Sequence, residues 1–141
     1  MISTKGRYAV RVLVDLAQHA GAAPVPLKDV AERQDLSLKY LERILPDLMK
    51  ARLVLGSRGK GGGYRLAWDP GDITVWQVLL AAEGEMAPVA CLESDAADCP
   101  RKGFCPTLPL WKGYFDMTRD YFSGFTLRDL MGADPADQYV I

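Results

Sequence analysis

Apolar residues recur at intervals of three and four along the first fifty residues, in three segments separated by polar or Gly- and Pro-containing stretches. The segments cover residues 4–20, 27–34 and 38–51. Ser37 is a suitable N-cap for the third segment, because its hydroxyl can accept a first-turn amide. The buried stripe of that segment is predicted at Leu38, Leu41, Leu45 and Leu48. The pattern therefore predicts three helices.

Pro46 interrupts the third predicted helix. Proline cannot donate the backbone hydrogen bond that the carbonyl of Glu42 would accept, and a proline inside a helix costs about 3 kcal/mol. We therefore expect a kink or break at residues 43–46, after the first turns of the helix.

Beyond the third helix, two short β-type runs at 53–55 and 64–68 flank a glycine-rich tip that carries Arg58 and Lys60. The glycines match neither of the common phosphate-binding patterns, and a strand rather than a helix follows them. These features predict a β-hairpin and argue against a nucleotide-binding loop.

Helical periodicity returns in the second half of the chain, over residues 73–85 and again after an intervening loop. Six of the chain's thirteen aromatic residues lie between residues 111 and 125. The predicted stripe comprises Trp111, Tyr114, Phe115, Thr118, Tyr121, Phe122 and Phe125. This is more apolar surface than one helix needs to pack on a small domain, so we expect much of it to contact a second subunit; the alternative is that it covers only its own core. A short helix at 126–131 and a loose tail follow.

Charge is divided unevenly along the chain. Residues 1–65 contain 12 Lys and Arg against 6 Asp and Glu, whereas residues 66–141 contain 5 against 12. A basic half is typical of nucleic-acid binding, since Lys and Arg displace counterions from phosphates; a chance distribution is the alternative. No segment has the length and hydrophobicity of a membrane span or a signal peptide, so we expect a cytoplasmic protein with reduced thiols.

Three helices followed by a hairpin with a cationic tip are typical of a winged helix-turn-helix domain. The predicted fold class is mainly α with a small β-wing and a long C-terminal dimerisation helix. The predicted units are a DNA-binding domain at 1–84, a cysteine-containing loop at 85–107, the dimerisation helix with a short final helix at 108–131, and a flexible tail at 132–141.

In this fold the first turns of the third helix enter the major groove, and the hairpin tip can reach a minor groove. Lys39 and Arg43 would meet phosphates or guanine edges, and Glu42 could accept a hydrogen bond from cytosine, which makes it the candidate for sequence discrimination. The alternatives are an intrahelical ion pair for Glu42 and an ordinary exposed charge for Arg58. The predicted DNA-binding set is Ser37, Lys39, Tyr40, Glu42, Arg43, Arg58, Lys60 and Gly61.

All the cysteines of the chain, Cys91, Cys99 and Cys105, lie within fifteen residues. Their odd number, in a chain long enough to bury a core without disulfides, argues against a disulfide framework. The two spacings are wider than the close pairs of structural zinc sites and favour a loop around an iron–sulfur cluster. Small apolar packing residues are the alternative, which the polar surroundings disfavour.

Four segments together resemble the IscR-like family of bacterial winged-helix transcription regulators, over residues 1 to about 131. The segments are "TKGRYAV" (4–10), "VPLKDVAERQDLSLKYLERIL" (25–45), "RGKGGGYRL" (58–66), and the three-cysteine loop followed by "LPLW" (108–111). The resemblance implies a homodimer on palindromic promoter sites in double-stranded DNA, joined mainly by a long helix near the C-terminus. In cluster-binding members, three cysteines hold an iron–sulfur cluster that senses cluster supply, oxidative stress or nitric oxide.

The resemblance also places a histidine ligand three residues after the last cysteine, where this chain has Leu108. Leucine offers no lone pair. A fourth ligand is then expected from an acidic residue of the loop or from the first helix of a partner subunit, and the lone His19 is a weak candidate. The acidic candidates are Glu93, Asp95 and Asp98.

The expected function is a DNA-binding transcription regulator whose promoter affinity depends on an iron–sulfur cluster, with 2Fe–2S favoured over 4Fe–4S and ready loss in air. We expect no membrane partner, no small-molecule substrate and no enzyme activity, because a thiol nucleophile needs a nearby base and the single histidine is distant in sequence. The alternative is a metal-free winged-helix regulator that responds to thiol oxidation or to a partner protein.

Overall fold

The computed structural model describes residues 1–132 and shows a mainly helical chain with a two-stranded β-sheet. The elements are α1 (Thr4–Gln18), α2 (Leu27–Gln34), α3 (Leu38–Lys50), β1 (Val54–Ser57), β2 (Gly63–Leu66), α4 (Val75–Glu83), α5 (Leu108–Ser123) and α6 (Leu127–Met131). Short 3₁₀ turns occur at Pro70–Asp72 and Ala90–Leu92. The predicted mainly α fold with a small two-stranded wing and a long helix near the C-terminus is confirmed. The predicted tail, apart from its first residue, lies outside the described residues.

One face of α1 lies at the centre of the hydrophobic core. Ala9, Val12 and Leu13 are fully buried on this face, and α2, α3, α4, α6 and β2 all pack against α1. Leu127 of α6 is also fully buried, and its amide donates to the carbonyl of Ile73 at 3.0 Å. The last described helix therefore completes the same core as the first.

Ser37 caps α3 as predicted, because its hydroxyl accepts a hydrogen bond from the amide of Tyr40 at 3.1 Å. The buried residues of α3 are Leu41, Ile44, Leu45 and Leu48. The predicted place of Leu38 in this stripe is wrong, since Leu38 is 45% exposed. Leu38 is the first residue of α3 and lies at the edge of the core, whereas Leu41, three residues later, is fully buried.

α3 continues through Pro46 without interruption, so the predicted break at 43–46 does not occur. Pro46 and Glu42 are both exposed, and solvent can therefore satisfy the carbonyl that loses its amide partner. Ile44 and Leu48, one on each side of the proline, are fully buried and keep both halves of the helix packed on the core.

The predicted hairpin is confirmed, with strands shifted by a few residues from their predicted bounds. β1 and β2 pair antiparallel, with Val54 opposite Leu66 and Ser57 opposite Gly63. The tip between them turns through Gly59 and Gly61, whose φ angles of 87° and 77° are rarely adopted by residues with a side chain. This backbone keeps the tip narrow.

α4 begins at a capping box, in which the Thr74 hydroxyl accepts from the amide of Gln77 and the Gln77 side chain accepts from the amide of Thr74. The predicted helix at 73–85 is therefore confirmed with tighter bounds. No helix within residues 1–132 is long and apolar enough to cross a membrane.

Asp15 of α1 is fully buried, which the helical pattern does not predict. Arg33 donates two hydrogen bonds to its carboxylate, at 2.7 and 3.0 Å, and Gln34 donates a third at 2.9 Å. Burial raises the pKa of Asp15, but the hydrogen bonds from Arg33 and Gln34 outweigh burial and hold the pKa below its ordinary value. A fully paired buried charge thus joins α1 to α2.

Replacing Arg33 with Met should lower the free energy of unfolding by about 3 kcal/mol near neutral pH, because the Asp15 carboxylate stays buried without its cation. In the wild type, the lowered pKa stabilises the fold above the pKa of the unfolded chain, and this contribution disappears only as the pH falls through the folded-state pKa. In Arg33→Met, burial raises the pKa of Asp15, so the deficit should shrink as the pH falls from about 7 to about 4. Urea unfolding at both pH values measures the change.

Arg128→Met is the matched control. Arg128 forms an ion pair with Asp69 in which both side chains are 57% exposed, so its loss should have a much smaller effect. Equal destabilisation by Arg33→Met and Arg128→Met would contradict the role assigned to the pairing of the buried Asp15 carboxylate with Arg33.

Candidate DNA interface and cysteine loop

The first turns of α3 present a polar surface to solvent. Lys39, Glu42 and Arg43 are exposed there, next to the Ser37 cap. Tyr40 is half-buried, and its ring contacts the Tyr8 ring of α1 edge to face, with centroids 5.6 Å apart. The predicted residues of the third helix thus lie together, but Tyr40 is partly used for packing on α1.

Two arginines of α1 add positive charge beside this surface, and the sequence prediction does not include them. The guanidinium groups of Arg7 and Arg11 lie 5.7 and 5.1 Å from the centroid of the Tyr8 ring, within the range of cation–π contacts. Their four-residue spacing, which puts both on one side of a helix, is the signal by which the sequence could have indicated them.

The hairpin tip carries the other predicted DNA contacts, Arg58, Lys60 and Gly61, all of them exposed. Within the part of the chain that the structure describes, neither Arg58 nor Lys60 forms a salt bridge, and the same is true of Lys39 and Arg43. These four charges are therefore not neutralised by described residues and can meet an anionic partner.

The loop between α4 and α5 brings the three cysteines to one cavity. Cys91 lies in the 3₁₀ turn Ala90–Leu92, and Cys105 lies three residues before α5. The cavity has a volume of about 180 Å³. Its lining residues are Cys91, Glu93, Ala96, Ala97, Asp98, Cys99, Lys102, Cys105 and Leu108. Thiols and carboxylates are thus gathered around one space.

The lining carries three thiols, the ligand type that holds most iron–sulfur clusters. No three His, Cys, Asp or Glu side chains among residues 1–132 are close enough together to hold one ion. A cluster distributes its protein ligands over more than one iron, so its cysteines need not meet at one point. Cys91 and Cys99 are exposed, Cys105 is half-buried, and none of them forms a disulfide.

Candidates for a fourth ligand differ in position. Glu93 and Asp98 line the cavity, whereas Asp95 does not. Leu108 supplies an apolar part of the wall. His19 lies at the C-terminal end of α1, where its Nδ1 is 2.9 Å from the Asp15 carbonyl, and it is not part of the lining.

Cys105 has its thiol at the start of α5, with Sγ 3.4 Å from the hydroxyl of Thr107. Hydrogen bonds from the side chain and amide of Thr107, together with one from the amide of Leu108, lower the pKa of the Cys105 thiol below its ordinary value. The thiolate is the form that binds metal and the form that reacts, so the local structure favours both roles.

α5 has no fully buried residue in the single chain. It packs mainly on α4, for example through Trp76 and Phe115, whose ring centroids are 6.1 Å apart. Leu110, Tyr114, Met117 and Tyr121 are more than half exposed. A cavity of about 590 Å³ lies between this helix, the first two residues and residues 85–88.

A family model described as "Rrf2: Iron-dependent Transcriptional regulator" matches residues 2–133. The chain belongs to the Rrf2 family. The HTH-type transcriptional regulator IscR of Vibrio atlanticus is 40% identical to it over 130 residues, which cover 92% of this chain and 74% of that protein. Protein rrf2 of Nitratidesulfovibrio vulgaris is also 40% identical, over 92% of this chain and 86% of its own length.

Two solved structures have the same fold as this Rrf2-family chain. CymR, the global cysteine regulator of B. subtilis, superposes with a TM-score of 0.75 at 36% identity, covering 95% of this chain and 98% of CymR. The IscR of T. potens superposes with a TM-score of 0.72 at 35% identity, covering 99% and 96%. The protein is therefore an IscR-like, DNA-binding transcriptional regulator with a winged-helix fold, and it is not an enzyme.

Alkylation of Cys105 in this Rrf2-family protein should reach half its maximal rate at a lower pH than in the urea-unfolded chain, because the folded structure favours the thiolate. A Cys91→Ser/Cys99→Ser background isolates this thiol. Thr107→Val deletes the side-chain hydrogen bond and keeps both backbone amides, so the midpoint pH should rise toward the unfolded value without reaching it. Rates of iodoacetamide modification against pH measure both midpoints.

Thr118→Val is the control, since the Thr118 hydroxyl donates within α5, to the Tyr114 carbonyl. This variant should keep the midpoint of the parent. A midpoint that stays the same in Thr107→Val would contradict the assigned cause of the lowered pKa.

Proposed function

We propose that this protein acts in the cytoplasm as a homodimeric transcription regulator on palindromic promoter sites, and that an iron–sulfur cluster on Cys91, Cys99 and Cys105 modulates its affinity for DNA. The observation that carries the cluster proposal is that these three cysteines line one cavity at the start of α5. The family's description as iron-dependent agrees with it.

Glu93 or Asp98 would complete the ligand set, because both line the same cavity. A carboxylate is a harder and weaker partner for cluster iron than a thiolate or an imidazole. When bound, the cluster, with 2Fe–2S favoured, supplies a centre that oxygen or nitric oxide can attack. Weak ligation at one position suits a sensor, since cluster loss then follows readily from exposure to the signal.

The homodimer is supported by the exposed apolar face of α5. Its side chains would be an unusually large exposed patch for a monomeric protein of this size. A second copy placing its own α5 against this face would bury both, in the two-fold arrangement that is commonest among homo-oligomers. Two α3 helices related by that axis would then meet two half-sites of a palindrome.

On each half-site, the first turns of α3 would enter the major groove. Lys39 and Arg43 would contact phosphates or guanine edges, and Glu42 would accept from a cytosine amino group. The Ser37 cap and Tyr40 would support and flank this contact. Arg58, with Lys60 and Gly61 in the same narrow tip, would reach the minor groove.

The regulation itself follows from linkage. A cluster can change DNA affinity only by as much as it stabilises one shape of the dimer over another, typically about 1 to 3 kcal/mol. A second candidate function, a metal-free regulator that responds to thiol oxidation, is favoured by the exposure of Cys91 and Cys99 in the same cavity as Cys105, whose thiol has a lowered pKa.

Anaerobic purification should give a coloured protein that contains iron and sulfide, and replacement of Cys91, Cys99 and Cys105 by Ala should remove all three properties. Visible absorbance with iron and sulfide analysis makes this measurement. A colourless wild type that remains without iron and sulfide after attempted reconstitution would leave the thiol-oxidation function in place of the cluster.

Single Ala variants of the loop acids then identify the fourth ligand. Glu93→Ala or Asp98→Ala should shorten the lifetime of the cluster in air, whereas Asp95→Ala, in the same loop but outside the cavity lining, is the matched control. Leu108→His should lengthen it by supplying an imidazole ligand. Equal cluster lifetimes in all four variants and the wild type would argue against a fourth ligand from the lining of this cavity.

Glu42→Ala should relax sequence preference, with a loss of about 1 to 3 kcal/mol of discrimination at one base pair. Arg58→Ala should weaken binding and lower the slope of affinity against salt by about one unit. Selection of duplexes from a random-sequence pool, followed by titrations at several salt concentrations, measures both effects. Arg128→Ala, on α6, is the control and should change neither quantity; an unaltered preference in Glu42→Ala would contradict its role.

A further inference from the structure

One carboxylate connects the end of α4 to the start of α1. Oε1 of Glu83, the last residue of α4, accepts hydrogen bonds from the amide and the hydroxyl of Ser3, at 2.9 and 2.7 Å. The Ser3 hydroxyl in turn caps α1 by accepting from the amide of Gly6 at 3.3 Å. A residue 80 positions away in sequence therefore completes the N-terminal cap of α1.

Gly6 leaves the space that this carboxylate fills. A Cβ atom at position 6 would lie 2.2 Å from Oε1 of Glu83, closer than two such atoms can approach. Gly6 is buried in the first turn of α1, where alanine would favour the helix more strongly. The local sequence of α1 is thus less helix-stabilising than it could be, and the contact with Glu83 is the structural reason.

The same corner of the fold is the start of the cysteine loop. Gly84 alone separates Glu83 from Glu85, whose carboxylate accepts from the amide of Ala87 at 3.1 Å and from the amide and hydroxyl of Ser94 at 3.4 and 3.1 Å. Ser94 lies three residues after the first cysteine. The position of the first part of the loop therefore depends on where α4 ends.

On its other side, the start of α1 is joined to α3. Lys5, next to Gly6, forms an ion pair with Asp47, and the two side chains are 38% and 39% exposed. Asp47 lies one turn after Arg43, in the helix that carries the candidate base contacts. The start of α1 thus contacts both the end of α4 and the middle of α3.

We propose that Glu83 is a positioning residue that couples the cysteine loop to the DNA-reading helix: through Ser3 and Gly6 it determines where α1 begins, and through Lys5 and Asp47 the start of α1 orients α3. Displacement of the loop moves Glu85 and the end of α4, and this changes the Ser3–Glu83 contact. The proposal deepens the proposed function, since it names the residues by which the state of the loop reaches α3.

Backbone amide exchange on the full, cluster-free chain tests the coupling without DNA or cluster. In Glu83→Ala, the rate of amide exchange should rise in residues 4–8, 85–94 and 43–50 alike. The expected rise is about fivefold or more, which is the lower end of the usual coupling between sites. Gly6→Ala should raise exchange in the same three segments, although alanine favours the helix, because its methyl group expels the carboxylate. Glu83→Gln keeps an oxygen for both Ser3 donors and should remain close to the wild type.

Thr126→Val is the matched control. Thr126 is also an N-cap residue, at the start of α6. Removing its hydroxyl should raise amide exchange only near residues 126–132. Faster exchange confined to residues 4–8 in Glu83→Ala and Gly6→Ala would mean that Glu83 is a local cap and would overturn the proposal. The double variant Gly6→Ala/Glu83→Ala should exchange no faster than Glu83→Ala, because the two atoms that collide are no longer both present.

A DNA measurement separates this proposal from the proposed function. With a duplex selected by the wild type from a random-sequence pool, the dissociation constant of Glu83→Ala should rise about fivefold or more, and that of Glu83→Gln should stay within about twofold. Unchanged affinity in Glu83→Ala, despite faster exchange in α3, would refute a positioning role in DNA reading. A wild type that selects no duplex would instead refute the proposed function, and the exchange result would still decide the coupling.

Discussion

The burial of one face of α1 is the constraint on which the rest of the fold depends. Ala9, Val12 and Leu13 have no exposed surface, and α2, α3, α4, α6 and β2 pack around the helix that carries them. Complete burial of a Val or Leu side chain contributes about 1.5 to 3 kcal/mol, so these contacts outweigh any single polar interaction nearby. The positions of α3 and of the β1–β2 hairpin are thus both determined relative to α1.

Polar contacts along α1 determine how the neighbouring elements are oriented against it. The buried Asp15 is paired with Arg33, Lys5 is paired with Asp47 of α3, and Ser3, the N-cap of α1, donates to Glu83 at the end of α4. Apolar contacts tolerate small sliding, whereas hydrogen bonds and ion pairs depend on particular distances and angles. Changes at these polar contacts should therefore alter the orientation of the elements packed on α1, in addition to any loss of stability.

The cysteine loop and α5 differ from the rest of the chain because they lie outside this core. No residue from Gly84, which follows α4, to Gly124 is buried, and the apolar face of α5 is exposed. Such segments can change position without breaking the core.

Local chemistry accounts for what the sequence alone determined. The three first helices, the Ser37 cap, the glycine-rich hairpin tip and the helical aromatic segment all follow from neighbouring residues, so spacing and capping rules predict them. Tertiary packing decided the rest: Leu38 lies beyond the core, and the buried residues around Pro46 keep α3 continuous where the local cost of proline predicts a break. The burial of Asp15 against Arg33 and Gln34 of α2 also needed the structure. Each depends on groups distant in sequence, and no local pattern records which distant groups come together.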